Sequence, residues 1–171
     1  EANLDGDLLT QLAADQDGLY MRASSGLALE KFFTEAFGNI FEAGVLFDPE
    51  FDLPANEPGQ PISFPVCGET MITVVTGWDR TDTSLSLEIT SPGATIITPL
   101  TPGTEGSTGR TWSFLRVPLP HAGERDGLWQ VRVLRPTGSG EFPPPAPALR
   151  YFLDVIPTGG PRLTLAKGSV R

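Results

Sequence analysis

With 171 residues and 12 Lys+Arg against 21 Asp+Glu, a formal net charge of -9, the chain is long enough for one ordinary domain plus a fragment of another, and it would repel a phosphate backbone. No apolar run approaches the roughly 20 residues of a membrane-spanning helix. Glu1–Asp5 lacks the basic, then apolar start of a signal peptide and reads as the middle of something larger. One cysteine, Cys67, and one histidine, His121, exclude an internal disulfide, cysteine-rich zinc and iron–sulfur sites, and any Ser-His-Asp or Cys-His mechanism that bypasses His121.

The chain changes character near residue 55. Residues 1–57 hold 12 acidic residues and only two basic ones, Arg22 and Lys31, whereas residues 58–171 hold 9 acidic and 10 basic. The first proline is Pro49, and Pro54, Pro58 and Pro61 follow closely. This shift divides the chain into an opening segment over 1–46, a linker over 47–60, a main domain over 61–157, and a C-terminal extension or start of a next domain over 158–171.

In the opening segment the period is helical. Asp5 or Asp7 can cap a short helix carrying Leu8, Leu9, Leu12 and Ala13. Gly18 closes it, and Leu19–Ala23 reads as a short strand. Ser24 or Ser25 then caps a longer helix in which Leu29, Phe32, Phe33, Ala36, Phe37, Ile40 and Phe41 recur at three- and four-residue steps, with Gly44 to end it. Such a stripe is costly in water, at roughly 1.5–3 kcal/mol for each large apolar side chain. It is therefore expected to pack against the main domain, a second copy of the chain, or a remnant of a neighbouring domain.

Beyond the linker the period becomes two. Ile62, Phe64 and Val66 alternate, as do Ile72, Val74 and Thr76 within Met71–Trp78. Leu85, Leu87 and Ile89 alternate with Ser84, Ser86, Glu88 and Thr90, a half-buried strand with a wet outer face before the Ser91-Pro92-Gly93 turn. Thr95–Thr98 and Thr111–Val117 follow, with Thr101–Arg110 as the loop between them. Trp129, Val131 and Val133 alternate after Asp126-Gly127, and Tyr151, Leu153 and Val155 before Pro157; Arg162–Ala166 reads as a further strand or the start of a neighbour. Glycine and proline, 19 and 17 residues, supply the turns. The expected fold class is mainly β: an antiparallel β-sandwich, Ig-like or jelly-roll, preceded by a helix–strand–helix segment.

Two stretches carry a family resemblance. Asp7–Asp15, Gly18–Ala23 and Leu29–Phe33 resemble the C-terminal end of a von Willebrand factor A domain, which implies a penultimate helix, a last strand and a last helix of an α/β domain. Leu85–Gly93 and Asp126–Val133 are similar to the P domain of subtilisin-like convertases, a jelly-roll sandwich. The Asp-x-Ser-x-Ser metal motif of an A domain would precede Glu1, so residues 1–45 alone are not expected to form a metal-dependent adhesion site. The resemblance implies a non-catalytic structural or adhesion accessory module, extracellular or cell-surface, that contacts a protein partner or other domains of its parent. Alternatives are a carbohydrate- or protein-binding sandwich and the accessory domain of a secreted hydrolase.

Several residues invite a site reading. Asp82-Thr83-Ser84-Leu85-Ser86 spells the metal motif, but Leu85 and Leu87 point inward and no helix follows, so coincidence is the reading taken. Asp79 and Asp82 flank a turn of the kind that holds calcium in P domains, yet two carboxylates fall short of the 6–8 oxygens calcium takes. Asp15-Gln16-Asp17-Gly18 starts like a calcium-binding loop and lacks the later ligands. His121 falls on a turn and Ser107 lies outside any Gly-x-Ser-x-Gly elbow. Trp129 reads as core, Trp78 and Trp112 as either core or a sugar platform, Cys67 as an inert buried thiol, and Pro143–Pro147 as a stiff extended loop. Hence no catalytic, cofactor-binding or metal-binding residue is expected, nor a nucleic-acid partner, and the Phe32, Phe33, Phe37, Phe41 face is offered as a homo-oligomer contact.

Overall fold

In the computed structural model the residues described are 5–16, 18, 20, 22, 25–40, 50–54, 57–135 and 148–160. Two helices come first. Helix α1, Gly6–Ala14, begins where the Asp5 carboxylate accepts from the Leu8 amide at 3.2 Å. Helix α2, Gly26–Ile40, begins where the Ser25 hydroxyl accepts from the Ala28 amide at 3.1 Å. Each cap meets an amide that the first turn leaves without a partner. Of the strand expected over 19–23, Leu19, Met21 and Ala23 lie outside the described residues, as do Ser24, Phe41, Gly44, the side chains of Phe37 and Ile40, Asp17, Pro143–Pro147 and Arg162–Ala166.

Nine strands follow among the described residues: β1 Glu50–Leu53, β2 Ile62–Val66, β3 Met71–Trp78, β4 Ser86–Thr90, β5 Ile96–Ile97, β6 Glu105–Thr108, β7 Trp112–Pro118, β8 Gly127–Leu134 and β9 Leu149–Thr158. They form two sheets, β1-β9-β3-β7-β6 and β2-β8-β4-β5, with every neighbouring pair antiparallel. The chain is thus mainly β with two short helices. Alternation decides which side chains are buried. Ile72, Val74 and Trp78 of β3, Leu115 and Val117 of β7, and Leu149, Leu153 and Val155 of β9 join Phe64, Leu87, Ile89, Trp129, Val131 and Val133 of the second sheet in one apolar core. Among its polar members, the Thr76 hydroxyl is satisfied by the Phe152 carbonyl at 2.7 Å and the Trp78 indole N–H by the Thr83 carbonyl at 3.2 Å.

Two strands fall where none is expected. β1 lies inside the stretch read as a linker and pairs with β9, placing Leu53 in the core and stacking Phe51 on Tyr151 at 5.2 Å. β6 lies inside the stretch read as a loop. All four of its residues are exposed, so it carries no apolar alternation; it pairs with β7 from Glu105 opposite Arg116 to Thr108 opposite Ser113, and both of these end pairs also meet through their side chains, at 3.3 and 3.0 Å. Cys67 corrects the sequence reading: it is exposed, because Val66 is the last inward residue of β2 and the next position points out.

Helix α2 packs against the outer surface of β3 and β9. There the alternate residues of β9, Phe152, Asp154 and Ile156, are buried on the side opposite the main core. The helix docks through Leu27, which is buried, and through Glu30, whose Oε1 accepts from the Thr111 hydroxyl at 2.8 Å. At about 100° per residue this turns the apolar ridge outward. Leu29 stays 45% exposed and Phe33 54% exposed, so this part of the stripe is not the buried face that its periodicity suggests. No helix among the described residues is long and apolar enough to cross a membrane.

Candidate functional site

Asp79 and Asp82, both singled out from sequence, are committed to the chain's own backbone and to a neighbouring cation respectively. At one end of the sheets, Asp79 exchanges backbone and side-chain bonds with Arg150: its amide donates to the Arg150 carbonyl at 3.1 Å and its Oδ1 accepts from the Arg150 amide at 3.3 Å. Both oxygens of Asp82 are held by Arg80, with Nε to Oδ1 at 2.9 Å and Nη2 on Oδ2. That hydrogen-bonded guanidinium holds the Asp82 carboxyl below the usual carboxylate range. A calcium ion would have to displace Arg80 to use Asp82. Among the described residues, no group of three or more His, Cys, Asp or Glu side chains converges as metal ligands would.

At the opposite end three loops are tied together by carboxylates. Asp126 Oδ1 accepts from the Gly68 amide at 2.7 Å, joining the β7–β8 loop to the β2–β3 loop. Glu124 Oε2 accepts from the Gly93 amide at 3.0 Å, joining the same loop to the Ser91-Pro92-Gly93 turn. A Cβ on Gly93 would sit 1.9 Å from Glu124 Oε1, so a larger residue there would displace the Glu124 carboxylate from its place in the clasp. His121 belongs to this loop and forms a backbone bridge with Glu124, N–H to carbonyl at 2.8 and 2.9 Å in the two directions. Ser107, on β6, contributes only its carbonyl, which accepts from the Ser113 hydroxyl at 3.3 Å. The structure does not bring His121 and Ser107 into hydrogen-bond contact.

The Glu124 carboxyl lies below its ordinary value of 4.5, first through the Ser91 hydroxyl, then through the Gly93 amide and the nearby His121. A folded pKa depressed in this way gives stability that is fully present above the unfolded value and is lost as pH falls through the folded one. The melting-temperature gap between wild type and Glu124→Gln should therefore hold steady through neutral pH and close on acidification below 4.5. A gap unchanged at acid pH would show that the clasp does not depend on the ionised carboxylate.

The tryptophans separate cleanly. Trp129 is fully buried and its indole N–H donates to the Arg125 carbonyl at 2.8 Å, while Trp78 is equally buried. Only Trp112 reaches solvent, at 41% exposure, and it stacks on Phe114 with ring centroids 6.2 Å apart.

A recess lies on the outer face of the second sheet. Its volume is about 290 Å³, and it is lined by Pro61, Glu88, Thr90, Ala94, Ile96, Gln130, Val131 and Arg132. Glu88 on β4 and Arg132 on β8 are register partners, and Arg132 grips Glu88 Oε1 with Nε at 2.7 Å and Nη2 at 2.6 Å. Glu88 is only 8% exposed although it stands on the face turned away from the core. Sequence alternation places Glu88 and Thr90 on a wet face, but their meeting with Arg132 and Gln130 depends on strand order, which no local pattern encodes. Comparison with protein-family models and with curated proteins found no match.

Proposed function

We propose that the chain is a non-catalytic accessory module: a jelly-roll β-sandwich that holds the closing helices of an A-type segment against its own surface and so sets the position of whatever that segment contacts. The strand order supports the jelly roll. β1, β3, β7 and β9 in one sheet interleave with β2, β4, β5 and β8 in the other as two Greek keys do, with β6 added as a hairpin strand beside β7. The two stretches similar to a P domain, Leu85–Gly93 and Asp126–Val133, fall on β4 with its turn and on β8, which are hydrogen-bonded neighbours. This juxtaposition also favours a second reading, the accessory domain of a secreted hydrolase.

The observation that carries the positioning role is the docking of α2 through Leu27 and the Glu30–Thr111 bond. The exposed Leu29 and Phe33 then form the surface offered to a protein partner, a neighbouring domain or a second copy of the chain. The charge of -9 argues for protein over nucleic acid. The expected experimental result is one cooperative unfolding transition, coincident by far-ultraviolet circular dichroism and tryptophan fluorescence. Chromogenic ester, peptide and glycoside substrates should show no turnover. Turnover that persists through repurification and disappears in His121→Ala would overturn the non-catalytic reading, and early separate melting of the helices would overturn the positioning role.

A further inference from the structure

We infer that the recess on the outer face of the second sheet is a binding site for a neutral, hydroxyl-rich ligand, an oligosaccharide. The inference goes beyond a positioning role and rests on four side chains. The Glu88–Arg132 pair is half-buried, with side chains 10% and 37% exposed, and the desolvation of Glu88 offsets much of its attraction to Arg132. Here the pair lies on the floor of an open hollow, where hydrophobic residues of similar volume would serve the fold as well. Its geometry leaves defined valences free: Arg132 spends Nε and Nη2 on the single oxygen Oε1 of Glu88. Glu88 Oε2 retains acceptor capacity, and Arg132 Nη1, on the edge of the guanidinium away from Glu88, retains donor capacity. Gln130 donates from Nε2 to the Ser63 hydroxyl at 3.3 Å, which leaves its carbonyl oxygen as an acceptor, and Thr90 adds a hydroxyl that can do either.

The balance of charge selects the ligand class. The pair is neutral as a unit, so an anion that drew Arg132 away would leave Glu88, its side chain 10% exposed, uncompensated, and a cation would have to compete with both Arg132 bonds on Glu88 Oε1. A hydroxyl group needs neither. It can donate to Glu88 Oε2 while another hydroxyl of the same ligand accepts from Arg132 Nη1, as the several hydroxyls of an oligosaccharide allow. Pro61 and Ile96 supply apolar walls for its C–H faces, and the volume of about 290 Å³ lies at the lower end of small-ligand sites, enough for a short stretch of a chain. No aromatic ring lines the recess, so binding is expected to be weak, in the millimolar range.

The test is an amide-correlation NMR titration of the full chain with cellohexaose, maltohexaose and mannohexaose at millimolar concentration, with glycylglycine as a zwitterionic control. At least one saccharide should give saturable shifts at Thr90, Ile96, Gln130 and Val131. Glu88→Gln should weaken that binding about tenfold. Because Glu88→Gln could disturb the sheet, Gln130→Ala and Thr90→Ala serve as second variants. They sit at the surface, should leave the melting temperature unchanged and should each weaken binding several-fold. The inference fails if no saccharide produces saturable shifts, if the shifts persist undiminished in all three variants, or if glycylglycine alone moves these amides.

Discussion

Trp129→Ala should destabilise the protein by about 3–5 kcal/mol, the range for deleting a buried aromatic side chain and leaving its cavity. The indole is fully buried between the sheets, and its N–H bond to the Arg125 carbonyl also fastens the loop that enters β8. Domains of this size have total stabilities of about 5–15 kcal/mol, so the variant should retain a fold of reduced stability, melting on the order of 10 °C lower. Trp112→Ala offers an internal contrast. It removes an aromatic that is already 41% exposed and loses mainly its stacking on Phe114, about 1 kcal/mol. Guanidinium unfolding of both variants decides the matter: similar losses would mean that Trp129 is not at the centre of the apolar layer.

That contrast also marks what local sequence can and cannot reveal. Trp129-x-Val131-x-Val133 repeats with the period of a strand, and all three residues are buried on one face, as the alternation predicts. Strands β2, β3, β4, β7, β8 and β9 all carry this signal because each turns alternate apolar side chains to the main core. β6 carries none, since both of its sides are wet and it is held by backbone pairing and polar cross-strand contacts with β7. β1 is hidden for another reason: Asp52 and the flanking prolines dominate the composition, whereas Leu53 and Phe51 acquire their meaning only beside Tyr151, almost a hundred positions away. Helix caps are local and so were legible, as Asp5 and Ser25 illustrate. The recess was not, because Glu88 and Arg132 are 44 residues apart and meet only through the pairing of β4 with β8.

The direction in which α2 faces is the least legible feature, and Gly77 supplies its explanation. Periodicity alone would bury Leu29 and Phe33, yet the helix presents Leu27 and Glu30 to the sheet instead. Glycine within a strand weakens it and marks a place where another group approaches closely. At Gly77 a Cβ would lie 2.3 Å from Phe152 Cε1 and 2.8 Å from Glu30 Oε2. The missing side chain therefore makes room for the Phe152 ring and the Glu30 carboxylate together, and the carboxylate in turn reaches the Thr111 hydroxyl. The docking angle of the helix follows from this gap in the sheet surface and overrides the apolar stripe.

Gly77→Ala is accordingly expected to cost about 1–3 kcal/mol by overpacking, a large effect for one methyl group on the outer side of a sheet. The loss should be local as well as global. Amides of α2 from Leu27 to Thr34 should lose protection from hydrogen exchange more than those of β4 and β8, because the Phe152 ring and the helix must move apart while the main core stays filled. Phe152→Leu should relieve the clash, since it removes the ring atoms nearest the new methyl. In a double-mutant cycle the two substitutions should then be less damaging together than their sum, by about 0.5–3 kcal/mol. Additive losses, or unchanged exchange in α2, would separate Gly77 from the docking of the helix. Recovery of helix protection in the double variant would instead tie the orientation of α2, and with it the exposure of Leu29 and Phe33, to a single absent side chain on β3.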